Sequence, residues 1–241
     1  LPRPTNVPSA LPRTLYVNPY SPSQFAAIVV WTDGRYDLLV AAKPSGFPNT
    51  PSQIPEANFS RFHGNARNAV FVSSTRFALL DKSKTILLRS LKDELKRKIS
   101  IPGATAIFPG GNNRILVRCA ESMLLYDVQA CRPIAEIRVS PRHLIKYVTW
   151  SADGRHVAIQ SKSTLYLATA QLSLLAQVTE TQRVKAVSWD PSGACLYATH
   201  THLKYALPTG ESGPLRTLDS PLYPFSICAT NAPVLTPTGP A

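Results

Sequence analysis

Val148-Thr149-Trp150-Ser151-Ala152-Asp153-Gly154 and Val187-Ser188-Trp189-Asp190-Pro191-Ser192-Gly193 are two versions of one phrase. The tryptophans at 150 and 189 are 39 residues apart, the spacing of one four-stranded blade in a β-propeller. Lys146 to Trp150 supplies an inner strand, Ser151 to Gly154 a turn, and HVAIQS, TLYLAT and LSLLAQV three further strands before RVKAVSW opens the next unit. Asp-Gly and Pro-Ser-Gly suit those turns, because glycine accepts a positive φ at little cost and proline presets the turn.

The same grammar extends upstream. ATAIF, RILVRCA, MLLYDV and IAEIRV form a unit from Ala104, and NAVFV, RFALLD, TILLRSL and LKRKISI form one from Asn68. TLYVN, FAAIVVW and RYDLLVA give three strands from Thr14. A sixth unit is expected to begin with LYATHTHLKYAL and RTLDSP. The spacing therefore predicts an all-β fold, a β-propeller with about five to six four-stranded blades, as an incomplete part of a seven-bladed ring. Residues 1–13 are expected as a tail or linker, 14–223 as the partial propeller and 224–241 as an irregular end broken by prolines at 224, 233, 237 and 240. Residues 43–68, rich in Pro, Ser and Asn without apolar period, are expected as a long loop.

Composition narrows the function classes. The chain has 241 residues, of which 44% are hydrophobic and 17% charged, with 22 prolines, a profile for short strands and turns over long solvated helices. It starts at Leu1, its single methionine is Met123, and the expectation is a fragment of something longer. The longest apolar run, Phe25 to Trp31, is far short of the roughly 18 to 20 residues that cross a bilayer. Four cysteines without CxxC spacing point to a reduced, cytosolic setting. A formal charge of +12 favours acidic partners without naming their kind.

The residue types that carry catalysis do not assemble in the sequence. GxSxG, HExxH and GxxxxGK are absent, and Gly110-Gly111 has no following helix to make a phosphate cradle. His200 and His202 alternate on an expected strand and would share one face, yet no Cys, Asp or Glu accompanies them at ligand spacing, so no metal is expected. His63, His143 and His156 show no orienting partner. Trp189-Asp190 ends a first strand, whereas the WD signature closes a third, so it is read as packing residue plus turn. The expectation is a non-enzyme without cofactors.

LRSLKDELKRKIS is the densest charge run. As a helix it would be a basic amphipathic segment; as strands it breaks at Lys92-Asp93-Glu94, and Leu95, Arg97, Ile99 and Ile101 alternate with Lys96, Lys98 and Ser100. The blade period favours strands, and Arg89, Lys92, Lys96 and Lys98 become the candidate basic interaction surface, with Arg97 on the more covered face. Trp150, Trp189, Phe71, Phe108 and Tyr147 fall on innermost strands, where burial is expected, which leaves little to stack on nucleic acid.

RFALLDKSKTILLRSLKDELKRKISIP, LLYDV, IKYVTWSADGRHVAI, RVKAVSWDPSG and LKYALPTGESGPLRTLDSPLY, in that order, resemble the second WD-type propeller of alpha-type subunits of coatomer, the COPI vesicle coat. The resemblance runs from about Thr14 to Tyr223 and implies a non-enzymatic scaffold. It further implies other coatomer subunits as partners, Golgi-to-ER and intra-Golgi vesicle transport, and a cytoplasmic location peripheral to Golgi membrane and COPI-coated vesicles. The alternative kept from charge alone is a basic propeller module binding RNA or an anionic membrane surface.

Overall fold

The computed structural model describes residues 10–21, 24–42, 60–140 and 144–224. Every regular element among them is a β-strand, and the strands form five four-stranded antiparallel sheets, each a meander in which sequence neighbours pair. The chain divides into two compact units, Leu1–Arg142 and His143–Ala241.

The first unit holds three sheets. The first comprises β1 (Pro12–Val17), β2 (Gln24–Trp31), β3 (Arg35–Ala42) and β4 (Ser60–Asn65); the second β5 (Asn68–Ser73), β6 (Arg76–Leu80), β7 (Thr85–Ser90) and β8 (Leu95–Ser100); the third β9 (Ala106–Pro109), β10 (Arg114–Arg118), β11 (Ser122–Asp127) and β12 (Arg132–Arg138). The opening strands β1, β5 and β9 are neighbours, as radial blades require.

Period-2 alternation explains why these strands read as apolar runs. In the second sheet Phe77 and Leu79 pack with Ile28, Tyr36 and Leu38 of the first, while Ala78 and Leu80 pack with Ile107, Ile115 and Val117 of the third. A sheet covered on both faces needs apolar residues at every position, and each such Leu, Ile or Phe contributes about 1.5–3 kcal/mol.

The second unit holds two sheets: β13 (Tyr147–Trp150), β14 (His156–Gln160), β15 (Thr164–Thr169) and β16 (Leu174–Thr179), then β17 (Ala186–Trp189), β18 (Cys195–Ala198), β19 (His202–Ala206) and β20 (Ser212–Thr217). Leu165, Leu167 and Ala158 of one meet Val187, Trp189 and Tyr197 of the other. The quoted phrases occupy equivalent places. Trp150 and Trp189 each end a first strand, and Gly154 and Gly193 take φ of 68° and 90° in the following turns, a region in which a Cβ would be strained even though open space surrounds it. Ser151 Oγ donates to Asp153 Oδ1 at 2.6 Å, and Arg155 N donates to the same oxygen at 3.0 Å. Asp190 serves its own turn through Ser192 N and Ser192 Oγ.

Three expectations change. The stretch 43–68 contains β4, paired with β3 from Arg35↔Asn65 to Val40↔Ser60; its alternating Arg61, His63 and Asn65 hid the strand because the apolar residues of an outermost strand are few. The rest of that stretch, 43–59, lies outside the described residues. LYATHTHLKYAL and the start of RTLDSP do not open a sixth unit; they supply β18, β19 and the end of β20 in the fifth sheet. Tyr147 is 54% exposed, because it lies at the very start of β13. Residues 1–9 and 225–241 also lie outside the described set, and Pro12 and Arg13 belong to β1.

Candidate interaction surface

The basic run forms the hairpin of β7 and β8 and splits into inward and outward residues. Arg89 turns inward: its Nη1 donates to Asp93 O at 2.8 Å and pairs with Asp93 Oδ1 at 3.2 Å. Asp93, at φ 61° in the turn, also accepts from Tyr36 OH of β3 at 2.7 Å, so the cluster ties the first sheet to the second. Burial pushes the Tyr36 hydroxyl pKa up, and the hydrogen bond to Asp93 and its charge push it further. Arg89 is thus anchored behind the surface.

Lys92, Lys96 and Lys98 are exposed. Lys96 Nζ lies 2.7 Å from Glu94 Oε2, and its hydrogen bond and charge hold the Glu94 carboxyl below its ordinary range. Lys92 and Lys98 form no ion pair among the described residues. The β7–β8 register runs Leu88↔Arg97 then Arg89↔Leu95, which leaves Lys96 as the extra residue of a β-bulge. A bulge bends and twists an outer strand, and with lysine on it the edge is a poor template for pairing with another chain. Arg97, expected on the more covered face, is exposed; its Nη1 donates to Gln129 O at 2.8 Å and lies 2.8 Å from Cys131 Sγ, both in the β11–β12 turn.

A second polar constellation escaped sequence reading. Asp37 Oδ2 accepts from Trp31 Nε1 at 3.0 Å and Arg61 Nη2 at 2.8 Å, and Asp37 Oδ1 lies 2.6 Å from His63 Nδ1. These residues come from β2, β3 and β4, so an orienting carboxylate for His63 exists across strands where no sequence spacing could reveal it. Burial acts to raise the Asp37 pKa, but the hydrogen bonds from Arg61, His63 and Trp31 outweigh it and hold the carboxyl below 3.8. With three donors on one carboxylate, the cluster is a clasp for the outer strands of its sheet.

His200 and His202 do not share a strand. His200 is exposed in the bend that separates β18 from β19, and His202 starts β19 with its Nδ1 2.8 Å from Thr201 Oγ1. No group of three or more His, Cys, Asp and Glu among the described residues is placed to hold a metal ion. His156 stacks on Trp189, and His143 lies outside the described residues. Cys195 is a core residue whose thiol burial pushes up to about 12.

Asn68, which no spacing in the sequence singles out, joins three innermost strands. Its Nδ2 donates to Tyr16 OH of β1 at 2.7 Å, and its Oδ1 accepts from Ile107 N of β9 at 2.7 Å. Trp189 Nε1 plays a similar part in the second unit, donating to Thr149 O at 2.9 Å.

Meanders whose first strands neighbour one another, clasped sheet to sheet by side chains, define part of a β-propeller of the WD-repeat-like kind. The chain belongs to the COPA/B second beta-propeller family, whose sequence profile matches residues 5–231. It is 36% identical over 217 residues to coatomer subunit alpha-2 of Arabidopsis thaliana, covering 88% of this chain and 17% of that protein. Coatomer subunit alpha of Saccharomyces cerevisiae is 32% identical over 207 residues, covering 85% and 16%. The chain therefore spans about a sixth of the length of the curated relatives it matches. A chain from the crystal structure of the mitotic checkpoint complex shares the fold, with TM-score 0.56 at 11% identity over 82% of this chain and 64% of its own. No helix among the described residues is long and apolar enough to cross a membrane.

Proposed function

We propose that this segment is a non-enzymatic scaffold within a COPI-type coat subunit, presenting rigid propeller surfaces to other coat subunits. The observation that carries the reading is the family match over residues 5–231 together with alpha-subunit relatives at 32–36% identity. Propeller blades suit the task because packed sheets hold their loops and outer strands at fixed positions. The setting is the cytoplasm, peripheral to Golgi membrane, in Golgi-to-ER and intra-Golgi transport.

The outer edge of β8 is the contact surface within this reading. Lys96 and Lys98 face solvent on it and Lys92 in the turn before it, and Arg89 fixes the hairpin that displays them through Asp93. Exposed cations on a rigid edge steer an acidic partner and set the salt dependence of its association. The test uses a complete protein carrying this segment and purified coat subunits. Association is expected, with a Lys92→Glu/Lys96→Glu/Lys98→Glu variant slowing it by about tenfold at low salt. Absence of association, with coat assembly unchanged when the segment is deleted, would sink the proposal.

A further inference from the structure

The second unit is electrically polarised along its strands. In a four-stranded meander the start of the first strand, the second turn and the link to the next sheet share one end, and the first and third turns share the other. At the first end lie Lys146 before β13, Lys162 between β14 and β15, Arg183 and Lys185 between β16 and β17, and Lys204 and Arg216 near it on β19 and β20. Two carboxylates, Glu180 and Asp219, stand against these six cations. The opposite end carries Asp153, Asp190 and Glu211 against Arg155.

Glu180 does little to cancel the positive end beyond its own partner. Its oxygens accept from Lys204 Nζ at 2.8 and 3.0 Å and from Tyr197 OH at 2.6 Å. Lys146, Lys162, Arg183 and Lys185 form no ion pair among the described residues, and the first three are exposed. Their loops are held in place by backbone bonds: Lys146 N to Gln160 O at 2.8 Å, Val184 N to Lys162 O at 2.9 Å, and Lys185 N to Ala198 O at 2.8 Å. Beside Lys146 stand Leu144, 56% exposed, and Tyr147, 54% exposed.

We propose that this end of the second unit docks on an anionic lipid bilayer. The cations are spread over separate loops of two sheets instead of converging on a pocket, which matches a flat polyanionic surface better than a compact phosphate or an acidic side chain. Leu144 and Tyr147 are residue types that settle at headgroup level. Opposite charge at the far end adds orientation, since a planar negative field attracts one end and repels the other. A nucleic-acid strand would call for successive aromatics along a groove, and Tyr147 is followed by Val148 and Thr149.

The inference stands apart from the coat reading, and its test needs no coat subunit. The 241-residue chain is floated with phosphatidylcholine vesicles, with and without about a third phosphatidylserine, at low and high salt. Binding is expected only with phosphatidylserine, to be lost by about 0.5 M salt, and to fall at least about tenfold in Lys162→Glu/Arg183→Glu. Arg155→Glu, at the opposite end, should bind as the parent does. Lys146→Ala/Lys162→Ala, a milder pair, should weaken binding even if the reversal variant misfolds by circular dichroism. Equal binding to neutral vesicles, a parent-like Lys162→Glu/Arg183→Glu variant that is folded, parent-like binding by Lys146→Ala/Lys162→Ala, or a loss on Arg155→Glu would overturn the proposal. Tighter binding to polyuridylate or polyglutamate than to the phosphatidylserine vesicles would overturn it too.

Discussion

Asp37 shows how a single carboxylate can hold three strands of a sheet. Trp31, Arg61 and His63 all direct nitrogen atoms at it, and it is 7% exposed. Because the folded carboxyl titrates below its unfolded value near 3.8, it adds stability at every pH above that value. The contribution fades as pH falls through the folded pKa. Asp37→Asn keeps an acceptor but not the charge, so the parent should exceed the variant in urea midpoint at about pH 6, with the gap closing below about pH 4. A gap that persists undiminished to about pH 2 would show that the charge is not what the clasp uses.

At the scale of elements, the outer strands are the most individual parts of each blade. In four of the five sheets the outermost pair carries a bulge, with Lys96, Ile134, Leu175 and Leu215 as the extra residues. The first sheet instead places Gly64 of β4 against the ring of Tyr36 on β3. A Cβ at Gly64 would sit 2.8 Å from Tyr36 Cζ and closer still to Cε1. Tyr36 is 1% exposed and bound through its hydroxyl to Asp93, so the ring cannot yield without leaving that partner. Gly64→Ala is expected to cost about 1–3 kcal/mol, read as a lowered denaturant midpoint. An unchanged midpoint would mean that the Tyr36 site is slack.

For the whole molecule, the two units differ in how much core holds each together. Among the described residues, three sheets in the first share cores around Phe77 and around Leu80, and two sheets in the second share the core around Trp189. Burial is the main favourable term in folding, so the second unit should melt at lower urea. The three tryptophans make this measurable: Trp31 lies in the first unit and Trp150 and Trp189 in the second. Fluorescence of a Trp31→Phe chain should report a lower midpoint than that of a Trp150→Phe/Trp189→Phe chain. Coincident midpoints would show one cooperative body and overturn the two-step expectation.

Much of the propeller was legible in the letters, because a blade strand alternates with period two and its turns need Asp, Gly and Pro at fixed places. The repeat around Trp150 and Trp189 thereby determined the class, and the ordered phrases from Arg76 to Tyr223 determined the resemblance. β4 was not legible, since an outermost strand buries too little to enforce a pattern. Partnerships across strands were not legible either. Asp37 with His63, Asn68 with Tyr16 and Ile107, and Arg89 with Asp93 and Tyr36 depend on which strands lie side by side, and Tyr147 is exposed by its place at a strand start. The gathering of Lys146, Lys162, Arg183 and Lys185 at one end is of the same kind. Local sequence specifies strand and turn through short-range sterics and burial; which charges meet is decided only when strands far apart in the chain are folded into register.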